Sequence, residues 1–219
     1  MRLRRKPWID EAIHEYDSHI ILSGQADHKG KWRNLFSHPE RPLYMELGTG
    51  KGRFIAGMSE AYPDVNFVGF EVQIGVIYYA ARKIFEAKRD NAKVSLFDIA
   101  GIEDIVAPGE VDRFYINFCD PWPKAKHAKR RLTYHTFLDR YARLLKDGGE
   151  VHFKTDNEGL FMFSLEEFKA CGWELKNVTY DLHSTDLPNV KTEYEEKFSA
   201  KGQPIFRLEA IKPKVIKEV

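Results

Sequence analysis

Five apolar stretches of strand length in this chain each hold a carboxylate in or just beyond their carboxyl end. They are Leu43–Leu47 with Glu46, Asn66–Phe70 with Glu71, Lys93–Phe97 with Asp98, Phe114–Phe118 with Asp120, and Glu150–Lys154 with Asp156. Helical spacing separates them: Phe54, Ile55 and Met58 follow the first stretch, a helix is expected at about 75–89, and Phe137, Leu138, Tyr141, Leu144 and Leu145 precede the fifth. Strand alternating with helix predicts an α/β fold, a doubly wound and mostly parallel sheet covered on both faces in three layers. Parallel strands put their carboxyl ends on one edge, where ligands bind in open α/β sheets. One acid there is most often a helix cap. Five on one edge are costly unless a cation or hydrogen-bond donors bind among them.

The remaining chain completes this pattern. Leu160, Phe161, Leu165 and Phe168 mark another helix, and Trp173–Leu182 and Ile205–Ile211 read as two last strands, giving seven in all. Gly148-Gly149 is expected to stop the helix before the fifth strand. Residues 1–40 lack alternation and read as a basic N-terminal arm with one short helix, on a single domain spanning 1–219. No apolar run approaches the ~18 residues of a membrane span, and no apolar region backs the basic start, so neither membrane nor signal peptide is expected. Cys119 and Cys171 lack metal-ligand spacing, which fits a cytoplasmic protein with reduced thiols and no metal. Net charge is only +1, so any nucleic-acid binding must come from uneven charge: residues 2–6 and 124–131 are cationic and 192–196 acidic.

The first strand runs into Gly48-Thr49-Gly50-Lys51-Gly52 and then a helix, a turn that lets backbone approach a ligand closely. It lacks the GxGxxG spacing of a dinucleotide fold, and Gly52 stands where a P-loop needs Ser or Thr. A Glu-x-Gly-x-Gly turn with successive strand-end acids fits S-adenosylmethionine. Its ribose hydroxyls suit Glu71, 23 residues after Gly48; its adenine amine suits Asp98, and its amino group and sulfonium suit an acidic, phosphate-free pocket.

The fourth strand ends in Asp120-Pro121-Trp122-Pro123, where the prolines forbid continued strand or helix. A stiff turn therefore carries an acid and an indole to the sheet edge. The cations Lys124, Lys126, Lys129, Arg130 and Arg131 follow, which suggests a polyanionic partner with a stackable base. A solvated basic face is the plainer reading of such a run, and packing on the next helix is the plainer role for Trp122.

Three segments together, Met45–Gly52, Asn117–Lys124 and Thr192–Phe198, resemble the bacterial tRNA (guanine-N7)-methyltransferases, as does the Met-Arg-x-Arg start. The resemblance covers nearly the whole chain. It implies a class I methyltransferase that methylates a guanine in the tRNA variable loop. By that resemblance the donor is held by Glu46, Gly48, Gly50, Glu71, Asp98 and Asp120, with Asp120 as the active-site residue. The substrate side matches Lys124, Asp156, Thr192, Glu193, Tyr194 and Glu195, and the RNA segment is Lys126, His127, Ala128, Lys129, Arg130 and Arg131. Family members occur as monomers and as homodimers. Guanine N7 has an in-plane lone pair and needs no general base, so Asp120 is expected to act through its charge, with Asp156 and Glu193 or Glu195 reading the guanine edge. The alternatives are an amino-methyltransferase acting on an RNA or DNA base, whose motif usually reads Pro-Pro-aromatic, and a non-catalytic tRNA-binding protein. An NAD dehydrogenase is disfavoured by the glycine spacing.

Overall fold

The computed structural model describes residues 6–199 and 202–214, so Arg2, Arg4 and Arg5 of the basic start lie outside the described residues. The chain divides into two compact units. One comprises the residues up to Ala107 with Val190–Glu193, and the other comprises Pro108–Asn189 with the chain from Tyr194 onwards.

The first unit holds α1 (Ile9–Ala12), β1 (Ile20–Ile21), β2 (Leu43–Leu47), α2 (Arg53–Ala61), β3 (Asn66–Glu71), α3 (Ile74–Glu86), β4 (Ala92–Leu96) and α4 (Ile102–Ile105). Its strands lie in the order β1-β4-β3-β2 and all pair in parallel. Strand β2 and helix α2 fall where the apolar spacing predicts. The N-terminal arm is more structured than expected: Ile20 pairs with Val94 and Ile21 with Ser95. A two-residue strand is too short to show alternation, and it raises the strand count from the expected seven to eight. Trp32 is fully buried, its indole N–H donating to the Ile105 carbonyl at 2.7 Å and its ring edge-on to Phe70.

The second unit holds β5 (Val111–Asn117), α5 (His135–Leu144), β6 (Leu145–Thr155), α6 (Glu158–Ala170), β7 (Glu174–Thr179) and β8 (Phe206–Ile211), with α7 (Glu193–Ser199) starting on the last residue of the first unit. The order is β5-β6-β8-β7; β5 and β6 are parallel, and β8 runs antiparallel to both its neighbours. Gly148-Gly149 does not stop α5, which ends at Leu144 and passes directly into β6. The glycines lie inside that strand. Gly148 has φ +75°, and a Cβ on Gly149 would come within 2.9 Å of the Lys146 carbonyl oxygen. They permit an irregularity in the strand, beside the register shift between Val111 and Arg113. Phe153, Phe161 and Phe206 stack in the core.

A polar cluster ties the strands of this unit together. Glu150 on β6 accepts from His152 at 2.8 Å and pairs with Arg113 on β5 at 2.7 Å. The His152 hydrogen bond, then the Arg113 charge, push the Glu150 carboxyl down to about 2, while burial holds His152 below its usual value. A carboxylate with a depressed folded-state pKa stabilises above its unfolded pKa and loses that contribution as pH falls. Glu150→Gln should therefore cost about 1–2 kcal/mol at pH 7, the scale of a hydrogen bond to a charged group. Urea denaturation should show the gap to wild type closing between about pH 4.5 and pH 2.

Candidate active site

In the first unit the acids stand at the carboxyl ends of parallel strands, each fixed by a local donor. Glu46, buried in β2, accepts from the Thr49 hydroxyl at 2.6 Å. Glu71, the last residue of β3, accepts the backbone N–H groups of Val72 and Gln73, both at 3.0 Å. Asp98, exposed just past β4, accepts the Ala100 N–H at 2.9 Å and caps a short 3-10 turn. Asp98 thus does serve as a cap, the plain role for a strand-end acid, while Glu71 binds the turn before α3, and those bonds also aim their carboxylates. The glycine turn is pinned by Gly48 and Thr49 N–H groups donating to the Phe70 carbonyl. Its glycines divide by role. A Cβ on Gly52 would strike Ala80 of α3 at 2.6 Å, whereas Gly48 and Gly50, at φ +88° and +56°, face open space. Open backbone beside aimed carboxylates fits a cationic, phosphate-free ligand.

In the second unit β5 ends at Asn117, and the chain leaves it through two bulky residues in the left-handed region: Phe118 at φ +51° and Trp122 at φ +41°. Each such residue costs roughly 1–3 kcal/mol, and strain of this kind collects at functional sites. Between them sits Asp120, exposed, with no hydrogen bond or ion pair among the described residues. Its neighbour Cys119 has a thiol pushed up to about 12 by burial and then by the Asp120 charge, which removes it as a nucleophile. The basic run forms a 3-10 turn, Ala125–Arg130. Lys124, Lys126, Lys129 and Arg130 are exposed, and His127 and Ala128 are half-buried. The Arg130 guanidinium lies 4.9 Å from the Trp122 ring centre and His127 stands edge-on to it, so Trp122 packs within its own loop. Arg131 turns inward: its guanidinium donates to the Pro121 and Trp122 carbonyls and lies over Phe163 of α6.

The Thr192–Glu195 segment is the N-terminal end of a helix and not an irregular polar stretch. Thr192 is buried. Glu193 accepts the Arg53 N–H at the start of α2, at 3.1 Å, and the Lys83 ammonium of α3. Tyr194 donates its hydroxyl to Asp156 Oδ2 at 3.0 Å, and Gln203 donates to the same oxygen. Its ring meets Phe118 at 5.1 Å. Glu195 is fully buried: it accepts from Lys154 at 2.5 Å and Asn189 at 2.5 Å, with His183 at 3.2 Å. Glu193 or Glu195 was expected to read a base; in the structure the Arg53 N–H and Lys83 engage Glu193, and Lys154 and Asn189 engage Glu195. Sequence reasoning gave no part to Lys154, although a lysine inside an apolar strand signals a buried counter-charge.

Strand-end acids around an open glycine turn, on this order of strands and helices, define the class I methyltransferase fold. Solved structures share that fold: an antibiotic-related methyltransferase at TM-score 0.61 (14% identity, 87% of this chain and 95% of that one), and a 16S rRNA (adenine(1408)-N(1))-methyltransferase from Catenulisporales acidiphilia at 0.58 (16%, 90% and 95%). A family model described as a putative methyltransferase matches residues 40–208. The tRNA (guanine-N(7)-)-methyltransferase of Bacillus licheniformis is 49% identical, covering 96% of this chain and 98% of the relative. That of Bacillus subtilis is 48% identical over 95% and 98%. The chain belongs to the bacterial tRNA (guanine-N7)-methyltransferase family. Among the described residues no helix is long and apolar enough to cross a membrane.

The buried Lys154–Glu195 pair generates a sharp expectation. Lys154→Met leaves the Glu195 charge buried without its cation, which should cost about 3–5 kcal/mol. Adding Glu195→Leu should recover most of that loss, because an apolar pair needs no solvation. Chemical denaturation of the single and double variants measures both. A single variant within about 1 kcal/mol of wild type would mean that the pair does not support the fold.

Proposed function

We propose that this chain is a cytoplasmic enzyme, one methyltransferase domain, that transfers a methyl group from S-adenosylmethionine to N7 of a guanine in the tRNA variable loop. The observation that carries this reading is the Asp120 turn: a carboxylate with no hydrogen bond or ion pair among the described residues, held just past the end of β5 by strained backbone and followed by exposed cations. The full-length likeness to tRNA (guanine-N(7)-)-methyltransferases supports the choice of substrate.

When bound, the donor supplies a methyl group on a sulfonium. Glu71 would take its ribose hydroxyls, Asp98 its adenine amine, and Glu46 the positive charge of its amino end, and the Gly48 and Gly50 backbone would allow its close approach. Asp120 keeps its charge and faces the positive charge as it passes from sulfur to the base, lowering the barrier electrostatically. N7 attacks with its in-plane lone pair, so no side chain has to remove a proton. Asp156, oriented by Tyr194 and Gln203, accepts from the Watson–Crick edge of guanine through Oδ1. Lys124, Lys126, Lys129 and Arg130 meet phosphates, and fixing the substrate in line supplies a further share of the rate.

Asp120→Asn keeps shape and an acceptor but removes the charge. Its single-turnover rate with saturating donor and tRNA should fall by a factor on the order of 10² or more. The wild-type rate should show no limb from a deprotonated base between about pH 6.5 and 9. An Asn variant near wild-type rate would refute the electrostatic role.

The target atom is tested with a transcript carrying 7-deazaguanine at the modified position. Its phosphates and Watson–Crick edge are unchanged, so it should compete with normal tRNA within about tenfold, or 1.4 kcal/mol, yet accept no methyl group. Transfer to it at an ordinary rate would shift the assignment to an exocyclic amine elsewhere on the tRNA.

A further inference from the structure

Arg131 closes a run of cations that reads as a phosphate-binding segment, yet its Nε and Nη2 are already engaged. Its Nε donates to the Pro121 carbonyl at 3.0 Å and its Nη2 to the Trp122 carbonyl at 3.0 Å, with Nε also 3.3 Å from the latter. The guanidinium plane lies 4.3 Å from the centre of the Phe163 ring on α6. The Arg131 N–H closes the 3-10 turn on Ala128, and its carbonyl accepts from Tyr134. Arg131 is half-buried, whereas Lys124, Lys126, Lys129 and Arg130 are exposed.

The geometry points to Arg131 as a positioning residue for the transfer step: by clamping the Pro121 and Trp122 carbonyls it sets the direction of the Asp120 carboxylate. This rests on the reading of Asp120 given above. Trp122 sits at φ +41°, a conformation that an aromatic residue abandons unless neighbouring contacts impose it. Two carbonyls turned towards one point need a planar, multi-donor cation, which guanidinium provides and ammonium does not. Asp120 precedes Pro121, whose ring fixes φ, so the direction of the Pro121 carbonyl and that of the Asp120 backbone are coupled through one rigid residue. The Phe163 ring fixes the guanidinium from its other face, linking the turn to helix α6.

The test separates this role from phosphate binding. Arg131→Lys keeps the charge and loses the fork. Phe163→Leu removes the ring beneath the guanidinium and leaves every cation of the run in place. Both are compared with Lys129→Ala and Asp120→Asn, reading the single-turnover rate at saturation and the salt dependence of tRNA binding. Arg131→Lys should transfer methyl at least tenfold more slowly and Phe163→Leu several-fold more slowly, both with tRNA affinity and its salt slope within error of wild type. Lys129→Ala should instead flatten the log–log slope by about 0.7–0.9. Wild-type rates in Arg131→Lys and Phe163→Leu, alongside a slow Asp120→Asn, would overturn the positioning role and leave Asp120 in place. A fast Asp120→Asn would instead overturn the reading on which the role rests. If Arg131→Lys fails to fold, Phe163→Leu alone decides by the same two readings.

Discussion

A carboxylate that is to meet a positive charge in the reaction must be held in place without being neutralised first. The partners of the acids of this protein fall into two kinds. Glu46 is aimed by a hydroxyl, Glu71 by two backbone N–H groups and Asp98 by one. Asp120 is aimed by the turn that carries it. Dipolar donors orient a carboxylate and favour its charged form without cancelling its field. Glu193 and Glu195 form the other class: each meets a lysine, and Glu195 lies fully buried. Glu195 fastens α7 to the second unit through Lys154 and Asn189.

Rigidity at the Asp120 turn has a specific origin. Pro121 and Pro123 restrict the chain, two aromatic residues accept left-handed backbone, and side chains of the basic run pack back on the turn. Arg130 covers Trp122, and Arg131 holds the carbonyls on either side of the Pro121–Trp122 bond. One run of cations therefore has two faces. The outward face is exposed to solvent, while the inward member braces the turn that carries Asp120. Tyr194, seated between Asp156 and Phe118, joins the same framework from α7.

Much of this was written in local patterns. The βα alternation, the limits of β2 and α2, the glycine turn and the strand-end positions of Glu46, Glu71, Asp98, Asp120 and Asp156 follow from spacing, because apolar periodicity and proline act within a few residues. The sequence also marked the 124–131 run as basic and the Asp120 turn as stiff. What it did not decide is the partner of each charge. Two-residue β1 carries no period, and Gly148-Gly149 reads the same at a helix end as inside a strand. Arg131 is one cation among five until its guanidinium is seen on two carbonyls. Glu195 and Lys154 are 41 residues apart in sequence yet form one buried pair. Periodicity records which face of an element is buried. Pairing depends on contacts between residues far apart in the chain, so the tertiary structure alone decided which acids meet a hydroxyl or backbone N–H and which meet a lysine.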